Sequence, residues 1–315
     1  MKKVLSIIIC AALMLALFAG CGAKKTSGEK LHIIATIYPE YEWVKQITEG
    51  ADNVEISLLL DNGSDLHNFQ PSVKDITDIS SSDVFIYNGG ESDEWVDNIK
   101  ENAQNKDMLA LDLMELLGDK AKEETAVEGM ETEEHDEEDE KEYDEHIWLS
   151  LKNASFLCQK IADRLSEKDP DNKDTYAKNA KAYIEKLNKL DGEYEQTCSS
   201  AKNDTLIFAD RFPFRYMTDD YKLNYYAAFS GCSAQSDPKF ETIVFLANKL
   251  DELKLDHLMI IDGSDDKLAK SVIDAAKTKD VKILTLNSMQ SAVDENSTYL
   301  GIMEDNLKAL KEALN

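Results

Sequence analysis

The histidines of this 315-residue chain are His32, His67, His135, His146 and His257, and they are the side chains best suited to holding a cation. Imidazole nitrogen with carboxylate oxygen beside it suits Zn²⁺, Mn²⁺ or Fe²⁺. His32 and His257 lie inside strand-like apolar runs and read as hydrogen-bonded structural residues. His67 sits in a turn-rich loop, Asp61-Asn62-Gly63-Ser64-Asp65-Leu66-His67-Asn68-Phe69-Gln70-Pro71-Ser72. A lone loop histidine is more often a surface residue than a ligand, so position alone does not select it. His135 lies within an acidic run and His146 at its end. Asp210, just past an apolar run, is an oxygen donor for the same ion, or else a helix cap or the partner of Arg211 or Arg215. Binding by neutral imidazoles loses affinity below about pH 6.5.

These residues need a scaffold, and the hydrophobic pattern describes one. Strand-like runs are expected at 31–37, 54–60, 83–87 and 108–111, with helices at 40–50 and 93–103 between them. Helix 149–165 ends at Asp169-Pro170. Tyr176, Ala180, Tyr183, Ile184, Leu187, Leu190 and Tyr194 then recur at helical spacing, which predicts a helix over 174–198, about 40 Å long. The strand–helix rhythm resumes with strands at 205–209, 225–229, 257–261 and 281–286. Helices follow at 238–253, 266–278 and 297–314. Alternation of this kind implies βαβ units and mostly parallel sheet, so the fold class is α/β, two βα lobes bridged by one long helix. In such sheets ligands bind beyond the carboxyl ends of the strands. His67, Asp210 and Asn287 all fall there.

The segment 118–145 breaks the pattern. It is dominated by Glu and Asp, has almost no apolar period, and is expected to be an acidic mobile loop. The chain thus divides into a leader (1–20), a tether (21–30), an N-terminal lobe (31–150) containing that loop, a helical region (151–200) and a C-terminal lobe (201–315).

The leader carries Lys2 and Lys3, an apolar run from Val4 to Phe18, and Phe18-Ala19-Gly20-Cys21. It is too short for a comfortable membrane span and reads as a secretory signal. Cys21 at the cleavage point is the expected lipid attachment site, which would hold the mature chain on the outer face of the cytoplasmic membrane. A net charge of −27 argues against nucleic acid, would repel anionic headgroups and favours cationic ligands. Membrane association would therefore come from the lipid alone. Cys158, Cys198 and Cys232 remain beyond the leader, an odd number without CxxC spacing. Buried inert thiols are expected, with a Cys198–Cys232 bridge as the alternative. Thiolate zinc chemistry is not expected.

The loop around His67 resembles the P-G-x-D-P-H-x-Y-E-P loop of metal-binding receptors of the zinc/manganese ABC-transporter family. Asp144-Glu145-His146-Ile147-Trp148-Leu149-Ser150 resembles their D-P-H-x-W-L-S-P. Ile37-Tyr38-Pro39, and Asn88-Gly89-Gly90 with Glu94-Trp95, match in order and spacing. An acidic, histidine-containing insertion before the second histidine resembles the zinc-type branch. The resemblance spans essentially the whole mature chain. It implies two lobes on an interlobe backbone helix, His67 and His146 as the first two metal ligands, Zn²⁺ (or Mn²⁺) as transported ligand, and an ABC permease as partner of a monomer. The other two ligand positions depart from the pattern. Ala209 stands at the third, with Asp210 one residue on, and Asn287 at the fourth. Water, Asp210 or a loop ligand such as His135 is then expected to complete the shell. A Mn²⁺ or Fe²⁺ receptor is the alternative within the family. A secreted zinc hydrolase (no HExxH is present) and a surface adhesin are remote alternatives.

Overall fold

Leu31–Ala35 forms β1, and its position between two neighbours explains its unbroken apolar sequence. The computed structural model describes residues 30–61, 65–131, 142–233, 238–290, 293 and 296–315. The leader, Cys21, His135 and nearly all of the tether lie outside the described residues. After β1 come α1 (Tyr38–Thr48), β2 (Val54–Leu58), α2 (Val73–Ser81), β3 (Val84–Tyr87), α3 (Trp95–Asn102), β4 (Leu109–Asp112) and α4 (Leu113–Leu117). The strands are all parallel in the order β2-β1-β3-β4. Every side chain of β3 is buried, as expected for a parallel strand covered on both faces.

Two helices, α5 (Leu151–Lys168) and α6 (Lys173–Ser199), lead to the second sheet. Its elements are β5 (Thr205–Phe212), α7 (Arg215–Tyr221), β6 (Asn224–Ser230), α8 (Phe240–Leu253), β7 (His257–Ile261), α9 (Lys267–Ala275), β8 (Lys282–Leu286) and α10 (Tyr299–Ala313). These strands are also parallel, in the order β6-β5-β7-β8.

The predicted stripe of α6 is its buried face: Tyr176, Ala180, Tyr183, Leu187, Leu190 and Tyr194 are all inside. The helix packs on α5, on α1 of the first lobe, and on α7 and α10 of the second. Polar ties fix both ends. Asn179 donates to the carbonyls of Ile47 and Glu49 (3.1 and 2.7 Å), and the Tyr194 hydroxyl to that of Met303 (2.6 Å). One hydrophobic cluster runs from Ile33 and Ile86 through the stripe to Phe208 and Leu310, so the lobes share a core. Each buried Leu or Tyr in it contributes roughly 1.5–3 kcal/mol. Among the described residues no helix is long and apolar enough to cross a membrane.

Helix α2 was not anticipated. Its short apolar stripe, Val73, Ile76 and Ile79, buries only Ile79 and leaves Val73 82% exposed. A reciprocal Ser72–Asp75 capping box starts it. Residues 132–141 of the acidic segment lie outside the described residues, and its described ends are tied down. Glu124 N donates to the Glu142 carbonyl (3.0 Å) and Asp144 N to that of Lys122 (2.8 Å). Glu131 bridges to Phe229 as an extra strand residue along β6, which lies at the edge of its sheet. Its buried carboxylate accepts from Lys239 N (2.7 Å) and the Thr242 hydroxyl (2.5 Å), capping the first turn of α8 from outside. Composition hides these contacts, since main-chain pairing needs no apolar side chain.

Candidate metal centre

His67 stands beyond the carboxyl end of β2, in a single 3₁₀ turn, Leu66–Asn68. Buried Leu66 anchors the turn and the Asp65 carboxylate caps it, accepting from His67 N at 3.1 Å. The other Asp65 oxygen takes Arg211 Nη1 of the second lobe at 2.9 Å. His67 Nδ1 faces the Ser92 hydroxyl (2.9 Å) and Glu145 Oε2 (3.4 Å). Those acceptors favour a proton on Nδ1 and leave the Nε2 lone pair facing the cleft. Burial alone would lower the His67 pKa, but hydrogen bonding and charge from Glu145, with help from Asp65, raise it overall. Burial would likewise raise the Glu145 carboxyl, and its bonds to His67 and Ser92 hold it below the usual range.

His146 is fully buried in the turn leading to the 3₁₀ helix Ile147–Leu149. Asp144 Oδ1 receives both its backbone N–H (2.9 Å) and its Nδ1 (3.0 Å), so its Nε2 is also left free. The Trp148 ring lies 5.2 Å away, centroid to centroid. Gly231 closes the far side, where a Cβ would stand 2.8 Å from the Phe212 carbonyl oxygen and 3.0 Å from His146 Cε1.

The two Nε2 atoms meet at 3.1 Å. Two imidazoles on a tetrahedral zinc are separated by about 3.3 Å, so this pair is already spaced for one ion. The Gln290 amide nitrogen bridges them at 3.1 and 3.0 Å. Cys232, in the turn after β6, completes a group with His67 and His146 whose ligand atoms all lie within 4.8 Å of one another. A cleft of about 180 Å³ opens onto His67 and Cys232, lined also by Glu91, Glu124, Glu142 and Glu145.

Asp210 does not join this group. It sits at the register shift in β5 between Phe208 and Arg211, and its carboxylate replaces missing ladder bonds. Oδ1 accepts from Arg211 N (2.8 Å) and Oδ2 from Ile261 N of β7 (3.0 Å). Neither the helix-cap nor the arginine-pair alternative describes it. Asp210→Ala should therefore leave zinc affinity within a few-fold of the parent while lowering stability by about 1–3 kcal/mol. Zinc titration beside thermal melting checks this, and a large affinity loss in a folded variant would return Asp210 to the ligand set. Ala209 is buried in the core between β5, β6 and α8. Asn287 Oδ1 accepts from Met289 N at 2.8 Å, closing its own turn. His32 Nε2 meets the Ser57 hydroxyl at 3.3 Å and His257 Nδ1 lies 2.6 Å from Asp256 Oδ1, both away from the centre as expected. Cys158 and Cys198 are free and buried, and Cys232 is free and half-buried, so no Cys198–Cys232 bridge forms. Cys232 and Gln290 carry no local spacing signal, and the fold alone brings them to the histidines.

A family profile described as "Zinc-uptake complex component A periplasmic" matches residues 33–313, nearly the whole described fold. The chain belongs to that family. This member is 32% identical over 320 residues to the "Zinc-binding lipoprotein AdcA" of Streptococcus pneumoniae, covering 99% of this chain and 61% of that relative. It thus spans about three-fifths of the length of that protein. It is 30% identical to the "High-affinity zinc uptake system protein ZnuA" of Bacillus subtilis, over 99% of this chain and 98% of the relative. The crystal structure of the Zn(II)-bound ZnuA-like domain of Streptococcus pneumoniae AdcA superposes with a TM-score of 0.71 at 30% identity, over 90% of this chain and 99% of that one.

Proposed function

We infer that this family member is an extracytoplasmic receptor that captures Zn²⁺ between its lobes and delivers it to an ABC permease for import. The observation that carries the reading is the pair of imidazole lone pairs converging at 3.1 Å from two separate loops, each fixed by a carboxylate behind it. His67 and His146 are the ligands in this reading. Cys21 carries the lipid, and the chain acts as a monomer on the outer face of the membrane. Family membership and the lipoprotein naming of the relatives support that placement.

Transport suits the site better than hydrolysis does. A hydrolytic zinc needs a nearby base free to take a proton from water. Glu145 is the acid beside His67, but its Oε1 is held by Ser92 N (2.9 Å), and its Oε2 faces the His67 ring at 3.4 Å and not an open water position. Nitrogen donors also favour zinc over manganese, which prefers more oxygens. The acidic cleft would gather cations before they reach the histidines.

The test is competitive titration of the chelator-stripped chain with Zn²⁺ and Mn²⁺, beside a variant whose residues 132–141 are a Gly/Ser linker of equal length. One zinc per chain should bind in both, with manganese weaker by at least about 10²-fold. Zinc capacity that disappeared with residues 132–141 would place the chemistry in the acidic segment and sink the interlobe reading.

A further inference from the structure

Two imidazoles alone leave a zinc ion half-coordinated, and the expected oxygen donor, Asp210, is committed to Ile261 N and Arg211 N. Cys232 is the residue grouped with the two histidines as a metal-ligating cluster among the described residues. We propose that the Cys232 thiolate is the third protein ligand of the zinc bound by His67 and His146. The proposal rests on the receptor reading above and names the donor that completes its site.

The geometry supports it on three counts. Cys232 Sγ and one ring nitrogen each of His67 and His146 are drawn from three loops, yet these ligand atoms all lie within 4.8 Å of one another. Nitrogen and sulfur on one tetrahedral zinc are about 3.6 Å apart, so closure requires at most about 1.2 Å of movement. That movement is available to Cys232, because it follows Gly231, whose missing side chain lets the turn lie against His146. Second, Cys232 faces the acidic cleft, where an arriving cation would meet it with His67. Third, the Gln290 amide donates to both Nε2 atoms at 3.1 and 3.0 Å, and its own oxygen is buried without a partner. Its N–H groups occupy the place a cation would take between the two nitrogens.

In the metal-free chain, burial first and then Asp144, Glu124 and Glu145 push the Cys232 thiol up, so it keeps its proton. An ion in the site reverses the local charge logic. As Sγ bonds to zinc, the thiol proton leaves to water, and the divalent charge is balanced in part by the thiolate.

Two measurements on the full chain test this. Zinc X-ray absorption of the wild-type protein loaded one-to-one should show one sulfur at about 2.3 Å beside nitrogen at about 2.0 Å. Co²⁺ in place of zinc should give a thiolate-to-metal charge-transfer band that persists in Cys158→Ser and Cys198→Ser and vanishes in Cys232→Ser. The last variant should bind zinc about 10²-fold more weakly at unchanged stoichiometry. One-to-one binding that needs both histidines, with no sulfur scatterer and no charge-transfer band, would overturn the thiolate ligand and leave the receptor reading standing. No tight one-to-one binding in the wild type would overturn both.

Discussion

His67→Ala/His146→Ala should lose tight zinc binding altogether, by at least about four orders of magnitude. Closed four-ligand zinc sites bind with about 10–16 kcal/mol, roughly 3 kcal/mol for each ligand, and each 1.4 kcal/mol is tenfold. Removing two imidazoles therefore costs about 6 kcal/mol. The double variant also removes the Nε2–Nε2 contact of 3.1 Å and the two bonds from Gln290, so Cys232 alone of the three proposed ligands is left to hold an ion between the lobes. The fold should survive. Each ring is held locally by hydrogen bonds to its own loop or the next one, and neither belongs to the apolar cluster shared by the sheets. Chelator competition measures the affinity and circular dichroism the fold. Retained nanomolar binding in the folded double variant would exclude these two residues as ligands.

Trp148→Ala should be the most damaging single change to stability, at about 3–5 kcal/mol. The side chain is 1% exposed, and its indole N–H donates to the Ser288 carbonyl at 2.8 Å. Its own carbonyl accepts from the Tyr299 hydroxyl at 2.7 Å. Truncation leaves a cavity and an orphaned acceptor where the loop after β8 meets the loop carrying His146. For a chain this size about 2 °C accompanies each kcal/mol, so the metal-free midpoint should fall by roughly 6–10 °C. Zinc affinity should fall with it, since the ring packs 5.2 Å from His146. Trp148→Phe should recover much of the packing and not the hydrogen bond. A midpoint within about 1–2 °C of the parent in Trp148→Ala would show that the site reorganises around the gap.

Where periodicity was strong, the sequence was readable. The stripe from Tyr176 to Tyr194 located α6 to within one residue at each end, because a buried helical face needs apolar residues every three or four positions. The β7 bounds were legible for the analogous reason. Helix α2 was not, since its apolar face is only three residues long and its start is set by the Ser72–Asp75 capping box. At the centre, the motifs around them singled out His67 and His146, and the fold brings their Nε2 atoms to 3.1 Å. Asp210 was misplaced because an irregularity in β5 cannot be seen in a linear string, and one residue of slip turns a strand side chain to the other face. Cys232 stayed hidden because its partners come from other loops. The absence of paired cysteines argued against sulfur, and a single thiol beside two imidazoles is an arrangement that paired spacing does not describe.

The strap formed by Glu131 along β6 makes the two halves of this protein inseparable in a way that a lobe boundary does not suggest. Residues 121–131 leave the first sheet, lay a strand bridge on the second, and reach across to Tyr216, whose hydroxyl takes Lys122 N at 3.0 Å and donates to the Asp144 carbonyl at 2.8 Å. A protease cutting between 132 and 141 would therefore produce two fragments that remain associated as a complementing pair, each holding one of the two histidines. A split receptor of this kind, expressed as two polypeptides, would reassemble through these contacts and bring one histidine from each piece to the metal site.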